Sequence, residues 1–409
     1  ASRFLLGTGD VNIPFDFLND YPAGQMIATA TDMAKFMIAH LQLGNYEGRQ
    51  ILSESTVKAM HSKQFSHHPK LDDNYGGFAF GVGSIRGQKL SAHDGGYLGA
   101  ATRMWLLPES DIGIYMACNT MNSRLNNDVT RQLAERLFPA EEKDSTEYPL
   151  EELPDYDANV DRFTGTYRMT RYTHGSITKT GVLFGAIAPE MSIRRNENGM
   201  ILMNDLYGNP RRMIQIQPLL FQSIDDDYYC AFREHENGEI THLFTNGTKA
   251  FEKVEWYHTV PFQQKFFIAC FVILFAASTG IAGRFLIRKI KKQEPAATTL
   301  EKRVRTFAWL TSFTLLFYLL AFGIMMLLIP QQEAMIGFGY GLPGVIVIIQ
   351  VIPFIGIVSM LFYLFYLMKS WFQSDIGISA KIVYSIVLLA GIGYLWFLNY
   401  WNLLGWKLS

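Results

Sequence analysis

Four long apolar runs fill the last third of the chain and decide most of its architecture. Residues 266–283 carry no charged side chain, and neither do 306–332, 334–368 or 382–406. A helix needs about 20 apolar residues to cross a bilayer core of roughly 30 Å. Val260, Pro261 and Phe262 can extend the shortest run, and a Gly/Pro break at 341–344 sets where the third helix begins. The pattern predicts four transmembrane helices at about 262–284, 306–330, 343–368 and 382–406. No Asp, Glu, Lys, Arg or His interrupts the runs. Ion and proton pathways are usually marked by such groups, so the membrane domain (261–409) reads as an anchor rather than a transporter. Pro353 with Gly356 could kink the third helix, and Gly280 with Gly283 could let helices approach closely. Trp396, Trp401 and Trp406, with Tyr394 and Tyr400, fit an interfacial aromatic belt at the outer end.

The near-neutral total charge hides an asymmetry. Residues 1–260 hold 24 Lys/Arg against 33 Asp/Glu, a net of −9, whereas residues 261–409 hold 12 against 4, a net of +8. Eight of those cations lie between Arg284 and Arg305, the next loop near 331–340 has none, and the third contains Lys369 and Lys381. By the positive-inside rule the first and third loops are cytoplasmic. A cell-membrane, multi-pass protein with residues 1–260 extracytoplasmic is therefore expected. The acidic front half argues against nucleic acid as a partner. Three cysteines, Cys118, Cys230 and Cys270, are an odd set that suggests neither a disulfide framework nor zinc. The chain opens on Ala1 without a cationic-then-apolar leader, so its start is read as an interior position of a longer protein.

Residues 1–140 read as α+β. Thr29 and Asp32 have capping-box-like spacing ahead of Met33, Phe36, Met37, His40 and Leu41, an apolar stripe at helical period. His40 on that stripe is expected to be packed or at its rim. A short helix should start near Ser53. Strand-like runs cover 77–85, 88–93, 100–107 and 112–118, and a helix follows over about 124–138. Consecutive strands with tight turns imply an antiparallel sheet. Residues 141–158 are a linker, acidic with two prolines over 141–155. Residues 159–258 look all-β. The steps Asn198-Gly199, Asn237-Gly238 and Asn246-Gly247 read as hairpin turns beside runs at 191–195, 200–203, 212–216, 228–233, 241–244 and 250–256. A small closed barrel or sandwich would bury alternate residues of such strands. Asn246-Gly247-Thr248 spells a glycosylation sequon, which a turn explains better.

Residues 91–119, SAHDGGYLGAATRMWLLPESDIGIYMACN, carry the most chemical information. A strand ends in His93-Asp94-Gly95-Gly96, and glycines at 95, 96 and 99 clear room for a ligand against backbone N–H groups. Upstream, PAGQMIATATDMAKFMIAHLQLG (22–44) places a Pro/Gly loop before the capped helix. The pair resembles the back half of the β-lactamase-related serine hydrolases, the penicillin-recognising family of class C β-lactamases and D-Ala-D-Ala peptidases.

The resemblance implies a membrane-anchored serine hydrolase acting through an acyl-serine on small-molecule or peptide substrates: peptides, esters or β-lactams. It also implies a sheet with a closing helix, followed by a lipocalin-like module. Acyl transfer of this kind needs a serine nucleophile, a lysine one helical turn on, a proton-shuttling tyrosine and an edge strand with an oxyanion donor. Many relatives carry Lys-Thr-Gly on that strand and others carry His-x-Gly, which His93-Asp94-Gly95 fits. By that resemblance His93 faces the nucleophile and the Gly96 N–H forms half of the oxyanion hole. Gly95, with Asp94, borders the bound substrate. No cofactor or metal is implied.

The family's Ser-x-x-Lys segment is not recognisable in this chain. Ser55-Thr56-Val57-Lys58 lies in what the family makes a surface helix. Ser176-Ile177-Thr178-Lys179 overlaps Lys179-Thr180-Gly181, and one lysine cannot serve both geometries. No Tyr-x-Asn stands in the right place. His67-His68 and His174 lack metal-ligand partners at useful spacing, and Asp225-Asp226-Asp227 lacks the glycine and distal glutamate of a calcium loop. The competing reading is a non-catalytic, membrane-tethered binding or sensor module on the same fold.

Overall fold

The computed structural model describes residues 2–4, 11–13, 24, 26–71, 75–97, 99–119, 123–139, 159–185, 187–197, 200–204, 210–224, 228–245, 249–292, 298–328, 344–373 and 376–407. The linker, Asn198-Gly199, Asp225-Asp226-Asp227 and the sequon at Asn246 lie outside them. The chain divides into two compact units, residues 1–170 with 190–254, and residues 171–189 with 255–409.

In the first unit a short ladder pairs β1 (Ser2–Phe4) with β2 (Val11–Ile13). Helix α1 (Ala30–Leu41) starts where expected: the Thr29 hydroxyl accepts the Asp32 N–H at 3.1 Å and bonds the Asp32 carboxylate at 2.6 Å. Strands β3 (Asn45–Tyr46) and β4 (Arg49–Gln50) form a hairpin before α2 (Glu54–Met60), which Ser53 caps. A five-stranded antiparallel sheet follows in the order β5 (Tyr75–Gly76), β6 (Gly81–Ile85), β7 (Gln88–Tyr97), β8 (Ala100–Leu107), β9 (Ile112–Cys118). Met33 and Met37 of α1 pack on Phe80, Val82, Met104 and Leu106, so α1 covers one sheet face. Gly113 sits under α1, where a Cβ would lie 3.2 Å from Met37. Helix α3 (Ser123–Leu137) packs on β8 and β9.

Two expectations for this sheet need correction. Of the run at 77–85 only Gly81–Ile85 is strand, because the chain bends at 78–80, where Ala79 takes a positive φ of 65°. The strand expected to end at His93 continues to Tyr97. Its glycines do not stop it, because Gly95 pairs with Thr102 and Gly96 with Ala101 across the ladder.

Eight antiparallel strands then close a barrel: β10 (Gly165–Met169), β11 (Glu190–Arg195), β12 (Ile201–Asn204), β13 (Pro210–Gln217), β14 (Leu220–Ser223), β15 (Tyr229–Glu234), β16 (Ile240–Thr245) and β17 (Ala250–Val254). β17 pairs back to β10 and completes the ring. Its core is apolar and crowded, with Phe163, Tyr167, Met203, Phe221, Phe232 and Phe251 all buried. The buried Tyr167 hydroxyl donates to Phe163 O at 2.8 Å. Eight strands leave an interior that side chains can just fill, and here they make a packed core. A second buried patch places Leu71 against Phe244, Ala231 and Leu220, with the rings of His67 and His68 stacked on Phe244.

Among the described residues, the second unit contains four helical segments long and apolar enough to cross a membrane: Val260–Ile290, Thr299–Met325, Gly344–Trp371 and Ile378–Tyr400. They form helices α4 (Val260–Ile290), α5 (Thr299–Leu328), α6 (Gly344–Ile349), α7 (Ile352–Trp371) and α8 (Ile378–Tyr400). The third segment breaks at Gln350–Val351, just before Pro353, in keeping with a ring that clashes with the preceding turn. Gly356 permits close contact with Leu315, Gly391 with Met360 and Gly393 with Phe266. Gly280 and Gly283, expected in that role, have open space where a Cβ would stand.

The expected aromatic belt is also only partial. Tyr394 and Trp401 are fully buried in the bundle, while Trp406 is exposed. Trp401 Nε1 donates to Gln263 Oε1 at 3.0 Å, Tyr318 OH donates to Leu403 O at 2.6 Å, and Thr311 OH donates to Ser359 Oγ at 3.0 Å. Such bonds link helices in an environment where lipid offers no alternative partner.

Candidate functional site

The site is built on β7 and begins with two hairpins. Arg86 and Gly87 both take positive φ, 50° and 77°, the backbone of a two-residue turn that leaves Ile85 and Gln88 as a hydrogen-bonded pair. Backbone groups then alternate along the strand, so even-numbered residues of β7 point at β6 and odd-numbered ones at β8. The hairpin joining Tyr97 to Ala100 gives the same parity independently. β6 ends opposite Ala92, where Gly81 pairs, whereas β8 continues alongside as far as Tyr97. Past Ala92, therefore, the main-chain groups of Asp94 and Gly96 face an open edge. Among the described residues no backbone hydrogen bond from outside the sheet reaches them.

Side chains alternate between the two faces, and directly opposed residues share one. His93 is opposed to Met104, which is buried against α1, so the imidazole projects from the α1 face and is exposed. Ser91 lies two residues earlier on that face; it is fully buried, and its hydroxyl has no partner among the described residues. Gly95 follows on the same face, where Thr102 Oγ1 fills the space a Cβ would need. Asp94 projects from the opposite face. Arg103 grips its carboxylate with two bonds, Nε to Oδ1 at 2.8 Å and Nη2 to Oδ2 at 2.5 Å, while the guanidinium lies over Trp105. Gly96 has open space where a side chain would stand. The four expected residues are thus contiguous, but they serve two faces and one edge. Of the upstream loop, Pro22 and Ala23 lie outside the described residues.

Sequence reading missed Arg103, Thr102 and Ser91. Their roles depend on cross-strand register, and only the alternation of Arg103 with Met104 and Trp105 hinted at which face each takes.

Other candidates fall elsewhere. Ser55 is exposed on α2, and Lys58 Nζ is committed to Glu54 Oε1 at 2.5 Å. Ser176 precedes, and Lys179 belongs to, a 3₁₀ helix, Ile177–Phe184, that groups with the membrane helices rather than with the barrel. Lys179 Nζ donates to Tyr400 O at 2.8 Å and sits 3.9 Å above the Tyr400 ring. His40 is buried and bonded through Nδ1 to His61 Nε2 at 3.0 Å, with Phe80 against both rings. Burial first, then the neighbouring His40 and Lys89, pulls the His61 pKa down to about 4, and burial also lowers that of His40. The described residues contain no group of three His, Cys, Asp or Glu side chains able to hold a metal ion.

The resemblance implied an edge strand; β7 is instead the third of five strands, with an open edge only past Ala92 where β6 no longer pairs, in a sheet with helices packed against it. The family model described as Beta-lactamase matches residues 6–137, and this part of the chain is β-lactamase-related. No curated protein matches the chain.

Among solved structures, the crystal structure of SurE with D-Leu is 16% identical over 56% of this chain and 50% of its own, with a TM-score of 0.33. The crystal structure of SurE is 17% identical over 56% and 48%, at 0.34. The octameric penicillin-binding protein homologue from Pyrococcus abyssi is 14% identical over 55% and 47%, at 0.25. The chain spans about half the length of these structures.

Proposed function

We propose that the chain belongs to a membrane-anchored, extracytoplasmic serine hydrolase of the β-lactamase and penicillin-binding type, acting through an acyl-serine on peptide, ester or β-lactam substrates. The observation that carries this reading is the open stretch of β7 past Ala92. When a serine attacks a carbonyl, negative charge develops on the oxygen, and a fixed N–H aimed there stabilises the transition state. The Gly96 N–H, pointing out of the sheet edge, is such a donor. His93, on the α1 face beside it, holds a substrate carboxylate or polarises the proton relay. Gly95 lets substrate lie close to the strand. Asp94 borders the substrate through its main chain, since Arg103 occupies its carboxylate. Neither Ser-x-x-Lys within these residues provides the nucleophile, so the serine comes from outside them.

The test is covalent labelling by fluorescent penicillin or a fluorophosphonate. The 409-residue chain should take up no label. The full product of its gene should be labelled, and His93→Ala should slow labelling by about 10²-fold, the scale of one lost transition-state contact. Label on the 409-residue chain, or a silent His93→Ala in a labelled full product, would refute the assignment. The alternative is a tethered binding module without catalysis. A full product that never labels would establish it.

A further inference from the structure

Between β10 and β11 the chain runs against two membrane helices. Residues 180–188, TGVLFGAIA, hold no charged side chain. The 3₁₀ helix Ile177–Phe184 buries Ile177, Val182 and Leu183. At its start Asn402 Nδ2 donates to His174 O and Ser176 O, and Ile177 N donates to Lys407 O. At its end Gln264 Nε2 of α4 donates to Leu183 O at 2.7 Å. Phe184 is the next residue, and it turns outward, 83% exposed. Gly185, at a φ of 66°, ends the helix behind it.

Gln264 fixes the height of that phenylalanine. It is the fifth residue of α4, about 6 Å along the axis at 1.5 Å per residue. Lys265 beside it is the last charge before the uncharged run 266–283. Gln264, Ile268, Val272 and Phe275 recur at helical spacing and are all exposed, so they form one outward face of α4. Through Leu183, Phe184 is held to the end residue of that face. At the same end of α4, Trp256 and Tyr257 are exposed, with the Trp256 ring 4.9 Å from that of Phe262. Tryptophan and tyrosine settle at membrane–water boundaries.

We propose that the 3₁₀ helix and its turn form an interfacial element, whose Phe184 side chain enters the headgroup–acyl boundary beside the first turns of α4. The surface is continuous with the apolar face that α4 presents outside the bundle, which makes lipid its occupant and not a protein. Contact with acyl chains removes from water a phenyl ring that the fold leaves uncovered.

The test places a nitroxide at Phe184→Cys in a Cys118→Ser background, where Cys230 and Cys270 are buried. The full chain is reconstituted in phosphatidylcholine vesicles, and depth is read from collisions with oxygen and with a water-soluble nickel chelate. Ile268→Cys and Glu109→Cys set the lipid and water limits. The label at 184 should fall between them, at a depth of roughly 5–10 Å, that of an interfacial apolar face. A ratio equal to that of Glu109→Cys would overturn the proposal. So would a label shielded from both reagents, which is the signature of a protein contact. p-Benzoylphenylalanine in place of Phe184 gives an independent reading without a thiol. Irradiation should yield lipid adducts by mass spectrometry, whereas crosslinks to a second copy, or no lipid adduct, would overturn the assignment.

Discussion

At the scale of single residues, the contact between Gly95 and Thr102 decides whether β7 can keep its course. A Cβ at 95 would collide with Thr102 Oγ1, while the Thr102 Cβ itself would stand 3.7 Å away, an ordinary contact. Gly95→Ala should therefore destabilise the first unit by about 1–3 kcal/mol, the usual cost of overpacking. Adding Thr102→Ala should recover most of that loss, and thermal denaturation of the two variants measures it. A Gly95→Ala that is no better in the Thr102→Ala background would show that the strand's conformation, and not this contact, demands glycine. The His40–His61 pair supplies the residue-scale pH dependence. The folded pKa of His61, about 4, lies below the ordinary 6.5. The unfolded chain therefore binds more protons between those values, and stability is fully present above pH 6.5 and drains away as pH falls toward 4. His61→Phe should flatten the stability profile over that window in urea titrations at stepped pH. An unchanged slope would assign the acid sensitivity to other groups.

At the scale of elements, caps and periods were legible, and departures from regular pairing were not. Thr29 and Ser53 announced α1 and α2, and six barrel strands were marked by β-rich runs between turn signals. β14 went unseen because its hairpin with β13 turns at Pro218-Leu219, where Leu219 takes a positive φ of 65° without an Asn-Gly step. β10 went unseen because it follows a 3₁₀ turn, Val160–Phe163, rather than another strand. The segment 171–189 was expected within the β domain. It is apolar and rich in short-range polar residues, and nothing local states that its partners lie more than 200 residues ahead. Those partners are specific: Asn402 Nδ2 donates to His174 O at 2.8 Å and to Ser176 O at 3.0 Å, and Ile177 N donates to Lys407 O at 2.8 Å. Asn402→Ala combined with Lys179→Met should release this segment by removing three buried or half-buried bonds. Each such bond contributes about 1 kcal/mol. Limited proteolysis in detergent should then cut within 171–189 at least tenfold faster while the four helices stay intact. Unaltered cleavage would mean that apolar packing of the 3₁₀ helix suffices by itself.

At the scale of the whole molecule, the division of charge along the chain and the division of the fold tell one story. The acidic residues that make the first 260 positions net −9 sit in the β-lactamase-related segment, the linker and the barrel, while the net +8 of the remainder is concentrated at 284–305. Moving charged segments across a bilayer is costly, and retention of Lys/Arg-rich short loops on the cytoplasmic side sets the orientation. For four spans the rule predicts that the segment before α4 and the segment after α8 lie outside, and with them the His93 edge and the barrel. A cysteine scan reads this directly. In a Cys118→Ser background, Glu109→Cys, in the exposed turn between β8 and β9, should react with a membrane-impermeant maleimide on intact cells. Lys292→Cys, exposed just beyond α4, should react only after permeabilisation. The opposite pattern would invert the molecule and put the site in the cytoplasm. A periplasmic or cell-surface substrate would then be ruled out, whatever the chemistry at His93.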